Sequence, residues 1–203
     1  MRARDNPFGA QRLLTLRYRL SGLSWDELLA RLAALGHRAA LVGPHGHGKT
    51  TLLEDLGVRL EERGFRLRAA TLHAGDRRLS ADQESFLFTA LTARDCLLLD
   101  GAEQLNALSW RRLVRRSRPA GGLVVTSHRA GLLPTLFECR TTPELLRDLV
   151  RELLGAEAEE LQPHLDELYA QLFTRHGGNL REVLRELYDL HLSLKSSIIS
   201  PGD

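Results

Sequence analysis

Apolar positions along this chain change their spacing from segment to segment, and the changes mark out the elements. Trp25, Leu28, Leu29, Leu32 and Leu35 recur every three or four residues, which predicts an amphipathic helix. Ser24 is placed to cap it, Glu27 three residues on completes a capping box, and Gly36 ends it. Ala39-Ala40-Leu41-Val42 is a short continuous apolar run, the pattern of a buried strand. Leu52, Leu53, Leu56 and Leu60 return to helical spacing over about 50–63, with Gly64 behind them. Residues 65–73 alternate apolar and charged and predict a second strand. A helix is expected through 86–91, and a buried strand over Cys96-Leu97-Leu98-Leu99, closed by Asp100. Another helix is expected over 105–116, broken by Pro119 and Gly121-Gly122. A strand follows at 123–126, and a short fifth one at 135–140. Strand and helix alternate from 39 to 140, which predicts an α/β domain with a parallel sheet and crossover helices.

After Thr142 only helical spacing remains. Thr142 is a cap followed by Pro143 at the first helical position, and Leu145, Leu146, Leu149, Val150, Leu153 and Leu154 form a stripe. More helix is expected over 165–176, stopped by Gly177-Gly178. Asn179 then caps a helix whose stripe is Leu180, Val183, Leu184 and Leu187. The expected organisation is a linker and helix over 1–37, a core over 38–142, a small helical bundle over 143–194 and a frayed tail over 195–203.

Composition narrows the class. With 203 residues the chain holds one α/β domain and a small appendage. Hydrophobic residues at 43% and charged residues at 27% exclude a disordered chain. No run approaches 18 apolar residues, so no spanning helix is expected and no membrane partner. The first residues run straight into polar sequence without an apolar segment, so a cytoplasmic protein without a secretory signal is expected. Cys96 and Cys139 are too few for a disulfide framework and are expected as inert buried thiols. The net charge of +2 permits contact with nucleic acid without requiring it. Of 28 basic residues only Lys49 and Lys195 are lysine, which makes the position of each lysine informative.

Lys49 lies in the run Gly43-Pro44-His45-Gly46-His47-Gly48-Lys49-Thr50, followed by Thr51. Gly43, Gly48, Lys49 and Thr50 occupy the fixed positions of GxxxxGK[ST], which composition alone would produce on the order of 0.0015 times per chain. Glycines let backbone N–H groups curve around phosphate oxygens, and the following helix presents an N-terminus that favours an anion. Lys49 is expected to reach the β- and γ-phosphates of ATP, and the Thr50 hydroxyl to ligate Mg²⁺. The motif lies between an expected strand and an expected helix, the setting it requires. A second element, an apolar strand ending in an aspartate that orders the metal's water, is supplied by Asp100. His45 and His47 have the spacing of a metal pair, but they fall at variable positions of the loop.

These two motifs resemble those of P-loop ATPases of the AAA+/STAND kind. More narrowly, with Asn6-Pro7-Phe8 near the start, the chain resembles bacterial AAA ATPases associated with transposition and type II secretion. The resemblance implies a P-loop NTPase three-layer sandwich with a five-stranded parallel sheet ordered 5-1-4-3-2, and a helical lid that closes over nucleotide. It implies a polar γ-phosphate sensor at the end of the fourth strand, here Thr126, with Ser127 and His128 adjacent. It implies a lid arginine on a helix opening with Gly-Asn, which matches Gly178-Asn179-Leu180-Arg181, so that Arg181 would touch phosphate. It also implies an N-terminal segment lining the adenine pocket. Trp25 is a candidate there, although packing is the ordinary role of both Trp25 and Trp110.

One departure bears on activity. The family places a water-polarising glutamate directly after the aspartate, and here that position is Gly101, with Glu103 the next carboxylate. If Glu103 substitutes, the protein hydrolyses Mg-ATP slowly or conditionally and couples nucleotide state to binding of a protein partner. If it does not, the protein is a non-hydrolytic nucleotide-held switch or scaffold. The family further implies an arginine from a neighbouring subunit, hence a homo-oligomer, with Arg111, Arg112, Arg115, Arg116, Arg118 and Arg129 as candidates. The same run suits nucleic-acid phosphates or simply a solvated helix face, and no base-reading motif accompanies it. A small-molecule P-loop kinase is the remaining reading, with acceptor-binding residues in 74–82. A GTPase lacks its Asn-Lys-x-Asp guanine motif in this sequence.

Overall fold

A computed structural model describes residues 6–155 and 167–199. The chain divides into two units, one made of 17–44 and 48–139, the other of 1–16, 45–47 and 140–203.

The first unit is built on five strands: β1 Arg38–Val42, β2 Arg66–Thr71, β3 Asp95–Asp100, β4 Gly122–Ser127 and β5 Thr135–Glu138. All neighbours pair in parallel, in the order β2-β3-β4-β1-β5. That is the sheet order the resemblance implied. After α1, a single turn at Ala10–Leu13 in the second unit, the helices of this unit are α2 Trp25–Ala34, α3 Lys49–Glu62, α4 Ala81–Phe88 and α5 Ala107–Arg116. The period of two along each strand sorts the core. Ala39 and Leu41 of β1, Cys96 and Leu98 of β3 and Val124 of β4 face Leu28 and Leu32 of α2 and Leu52, Leu56 and Leu60 of α3. Ala40, Val42, Leu97, Leu99, Leu123 and Val125 face the other side, where Leu87 of α4 and Leu113 of α5 pack. Helices thus cover both faces, and each fully buried leucine contributes about 1.5–3 kcal/mol.

Ser24 and Glu27 form the expected capping box at the start of α2. The helix expected over 86–91 instead forms at Ala81–Phe88, opened by a second capping box of Ser80 and Gln83. It ends where Thr89 turns extended and Ala90 takes φ 49°, a left-handed value that stops a helix. At the far end of β3, Asp95 is buried yet receives Thr92 N and Oγ1 at 2.7 and 2.8 Å, Arg66 at 3.1 Å and Arg68 at 3.1 Å. Burial opposes its charge, but the Thr92 bonds and the Arg68 guanidinium outweigh it and hold the carboxyl at about 2.

The second unit is helical: α6 Pro143–Leu154, α7 described over 167–175, and α8 Leu180–Ile199. Thr142 caps α6 through Leu145 N at 3.2 Å, with Pro143 at its start. Asn179 Oδ1 accepts from Glu182 N at 3.3 Å and caps α8. Leu146, Val150 and Leu153 of α6, Tyr169 and Leu172 of α7, and Val183, Leu184 and Leu187 of α8 share one core. The Asn6-Pro7-Phe8 segment belongs to this core. Phe8 is buried in it, and Asn6, itself buried, donates to the Tyr188 carbonyl at 3.1 Å. The start of the helix expected at 165 and the tail beyond 199 lie outside the described residues, and α8 itself runs past Lys195.

Candidate active site

The C-terminal edge of the parallel sheet gathers the phosphate motifs, as open α/β sheets do. β1 ends at Val42, the loop follows, and α3 opens at Lys49 behind Gly48 in left-handed conformation. Gly43 is where the chain leaves the sheet, and its N–H donates to the Ser127 carbonyl at 3.2 Å. A Cβ there would lie 2.5 Å from the Cys139 carbonyl oxygen, so only glycine fits. Lys49 is buried and donates from Nζ to the carbonyls of Gly43 and Pro44 at 2.8 and 2.7 Å. Its ammonium is thereby held inside the loop that it closes.

Asp100, at the end of β3, sits between two hydroxyls. Thr50 donates to its Oδ2 at 2.8 Å and Thr126 donates to its Oδ1 at 2.5 Å. Thr126 Oγ1 also accepts from Gly101 N at 2.8 Å. One threonine from the start of α3 and one from the end of β4 therefore fix the carboxylate from both sides. Hydroxyl and carboxylate oxygens suit a hard cation such as Mg²⁺, so the residues present fit the metal the motifs imply. Ser127, beside Thr126, donates instead to the Arg129 carbonyl at 2.8 Å.

Gly101 has φ +79°, and a Cβ at this position would approach the Leu72 carbonyl oxygen to 2.5 Å. The turn is tight because Leu72 N donates to the Asp100 carbonyl at 2.9 Å while Gly101 N is held by Thr126. Beyond it a single 3-10 turn, Ala102–Gln104, carries Glu103. Glu103 Oε1 lies 3.2 Å from His128 Nε2.

The apex of the loop, 45–47, clusters with the helical unit. The Asn179 side chain lies against Gly46, where an added Cβ would meet Oδ1 at 1.8 Å. His47 Nδ1 is 3.4 Å from Thr141 Oγ1, which donates to the Gly178 carbonyl at 2.7 Å. Arg181 is exposed in the first turn of α8, two residues after Asn179.

The remaining candidates, and one residue not singled out, take the following places. Trp25 lies under the Arg59 guanidinium at 3.6 Å, on the later turns of α3, and packs on the core. Tyr18, which periodicity did not single out, lies against Gly48, where an added Cβ would meet its ring at 2.9 Å. Its backbone N–H donates to the buried Asp55 of α3 at 2.6 Å. Burial pushes its hydroxyl's pKa up, helped by the neighbouring Cys139. Burial likewise raises Cys139 and pushes Cys96 up to about 12, so both are buried thiols with little thiolate at neutral pH. In the arginine run, Arg112 and Arg116 both pair with Glu84 of α4, and Arg116 stacks on Phe88. These two are committed to holding α5 on α4. Among the described residues no helix is long and apolar enough to cross a membrane.

No family model matches the chain, and no curated protein matches it. Solved structures do. The RuvB Holliday junction branch migration motor of Thermotoga maritima has TM-score 0.52 and 20% identity over 79% of this chain and 58% of that one. A DNA replication initiation factor has TM-score 0.58 and 17% identity over 82% and 59%. NtrX from Brucella abortus, in complex with ATP, has TM-score 0.53 and 13% identity over 95% and 53%. This chain thus spans somewhat over half the length of each. At such identities the likeness concerns the fold alone. The chain shares the α/β fold of these structures, and its own core is a five-stranded parallel sheet with helices on both faces.

Proposed function

We propose that this chain binds Mg-ATP at 43–51 and hydrolyses it slowly or conditionally, with nucleotide state governing attachment to a protein partner. The observation that carries the reading is the hydrogen-bonded chain Thr50–Asp100–Thr126 beside a buried Lys49. The helix start and the loop's N–H groups favour the phosphates, and Lys49 exchanges its loop carbonyls for the β- and γ-phosphates. Thr50 and Asp100 would hold Mg²⁺, which would supply charge neutralisation at the phosphates. Thr126 senses the γ-phosphate through Asp100, and Glu103 polarises the attacking water. In this reading 38–142 is the ATPase core, 143–194 is a lid whose Arg181 senses phosphate, and a second copy of the chain supplies an arginine, with Arg111, Arg115, Arg118 and Arg129 among the exposed candidates. The narrower kinship, to transposition and secretion ATPases, and a cytoplasmic location belong to the same reading.

The test is phosphate release from Mg-ATP across a protein concentration series, with Lys49→Ala as blank. Lysine-dependent turnover that rises more than linearly supports an ATPase completed by a neighbouring copy. Lysine-dependent nucleotide binding without turnover favours the second reading, a non-hydrolytic switch, which the occluded Gly101 position supports. No observation favours the kinase reading. In 74–82, Asp76 accepts His73 N at 2.8 Å to close its own turn, and Leu79 is buried.

A further inference from the structure

We propose that His128 is the positioning residue for Glu103, and that the two together take the place of the carboxylate that the Gly101 turn excludes. This rests on the hydrolytic reading above.

The exclusion is steric. The chain must leave β3 between Leu72 and Thr126, and it does so in a left-handed residue whose Cβ position is filled by a carbonyl oxygen. No side chain fits there, so a carboxylate acting beside Asp100 has to come from farther along. The 3-10 turn that follows brings Glu103 back across the end of β4, where His128 meets its Oε1 at 3.2 Å.

The register places this pair at the phosphate end of the sheet. Leu99 pairs with Val125, so Asp100 and Thr126 stand side by side at the strand ends. Val42 pairs with Ser127, and Gly43 N donates to the Ser127 carbonyl. His128 therefore follows directly on the end of β4, the strand between β1 and β3, level with the first residue of the phosphate loop.

The carboxylate itself is divided in role. Oε1 lies 3.2 Å from His128 Nε2, while Oε2 is buried and has no hydrogen-bond partner among the described residues. A surface ion pair leaves both oxygens in water and does little. Here one oxygen is held in place and the other is shielded with its lone pairs unused, which leaves it as the acceptor available to a water bound at the phosphate. In the reaction the water oxygen bonds to the γ-phosphorus as the bond from that phosphorus to the bridging oxygen breaks. The bonding pair leaves on ADP, and the proton taken by Oε2 passes to the phosphate product. His128 sets only the orientation of Glu103.

The test uses the full chain with Glu103→Gln, His128→Ala and His128→Gln, reading Mg-ATP kcat and KM, affinity for a fluorescent ATP analogue, and the ¹⁵N shifts of the His128 ring without nucleotide. The proposal expects Glu103→Gln to lower kcat by about 100-fold or more and His128→Ala by about 10-fold, with analogue affinity within about threefold of wild type. His128→Gln, which keeps a donor, restores most of kcat. The His128 ring shifts move in Glu103→Gln. Lysine-dependent turnover that survives both Glu103→Gln and His128→Ala within about twofold overturns the pair and leaves the ATPase reading standing. The same holds for losses that follow analogue affinity, or for ring shifts indifferent to Glu103. Absence of Lys49-dependent turnover in wild type overturns the hydrolytic reading and the pair with it.

Discussion

Two corners of the same sheet edge meet the chemistry in different ways. At the end of β1 every fixed position of the phosphate motif is present, and backbone geometry accounts for its glycines and its lysine. Gly43 must pass the Cys139 carbonyl, Gly48 opens α3, and Lys49 reaches its own loop carbonyls. At the heads of β3 and β4 the aspartate is present, but the residue after it is constrained by Leu72 from one side and Thr126 from the other. The first corner combines bonds inside the loop, from Lys49 to the carbonyls of Gly43 and Pro44, with a close backbone passage past Cys139. The second is defined by contacts spanning 25 residues or more, from Asp100 to Thr126 and from Glu103 to His128. The lesson is that the loop after β1 is shaped by close backbone passage, whereas the corner beyond Asp100 depends on the side chains that the neighbouring strands bring to it.

The contrast can be broken most forcefully at Gly101. Gly101→Ala forces a Cβ into a left-handed residue against a carbonyl, and should cost about 2–4 kcal/mol in urea unfolding. Gly101→Glu should cost at least as much and should not raise turnover, although it restores the family's residue. A gain in kcat from that substitution would mean that the turn relaxes and that Glu103 is dispensable. A smaller effect is expected one bond away. Thr126→Val keeps the shape but removes the donor to Asp100 and the acceptor for Gly101 N, and should cost about 1–3 kcal/mol of stability. At the β1 corner, Thr50→Ala loses one hydrogen bond to Asp100. Its stability should fall by only about 0.5–1.5 kcal/mol, while the Mg²⁺-dependent part of nucleotide affinity is lost, measured by titrating a fluorescent analogue with and without metal. The effect farthest from the site lies at the opposite end of β3. The Asp95 carboxyl is lowered to about 2, so its stabilising contribution is complete above the unfolded value near 4 and is lost as pH falls from there through about 2. Acid unfolding of wild type should steepen in that window, and Asp95→Asn should flatten it without altering nucleotide binding.

Legibility of the sequence followed the same division. The capping box at Ser24 and Glu27, the loop, and the apolar strands were readable because each signal lies within a few residues. The sheet order came from resemblance, since parallel pairing leaves no local trace. α4 was expected too late because only Leu87 of it is buried, so its apolar period is faint, while its true start signal, Ser80 with Gln83, is polar. Trp25 drew attention as an aromatic near the N-terminus, yet Tyr18 is the ring against the loop, and an exposed-looking alternation of charged and apolar residues hid it. Asn6 and Phe8 were visible as a motif, but their anchoring on α8, some 180 residues on, was not. The Glu103–His128 pair was hidden for the same reason. Both residues were named separately, and only the adjacency of β3 and β4 joins them.

The central claim is that the loop at the head of β1 holds Mg-ATP through Lys49. Its most direct test is equilibrium binding of a fluorescent ATP analogue with Mg²⁺ to wild type and to Lys49→Ala, with folding of both checked by circular dichroism. The account predicts saturable binding by wild type and a loss of at least about 100-fold in the variant, with its fold intact. Equal affinity in the two proteins, or no binding by a folded wild-type chain, would contradict it.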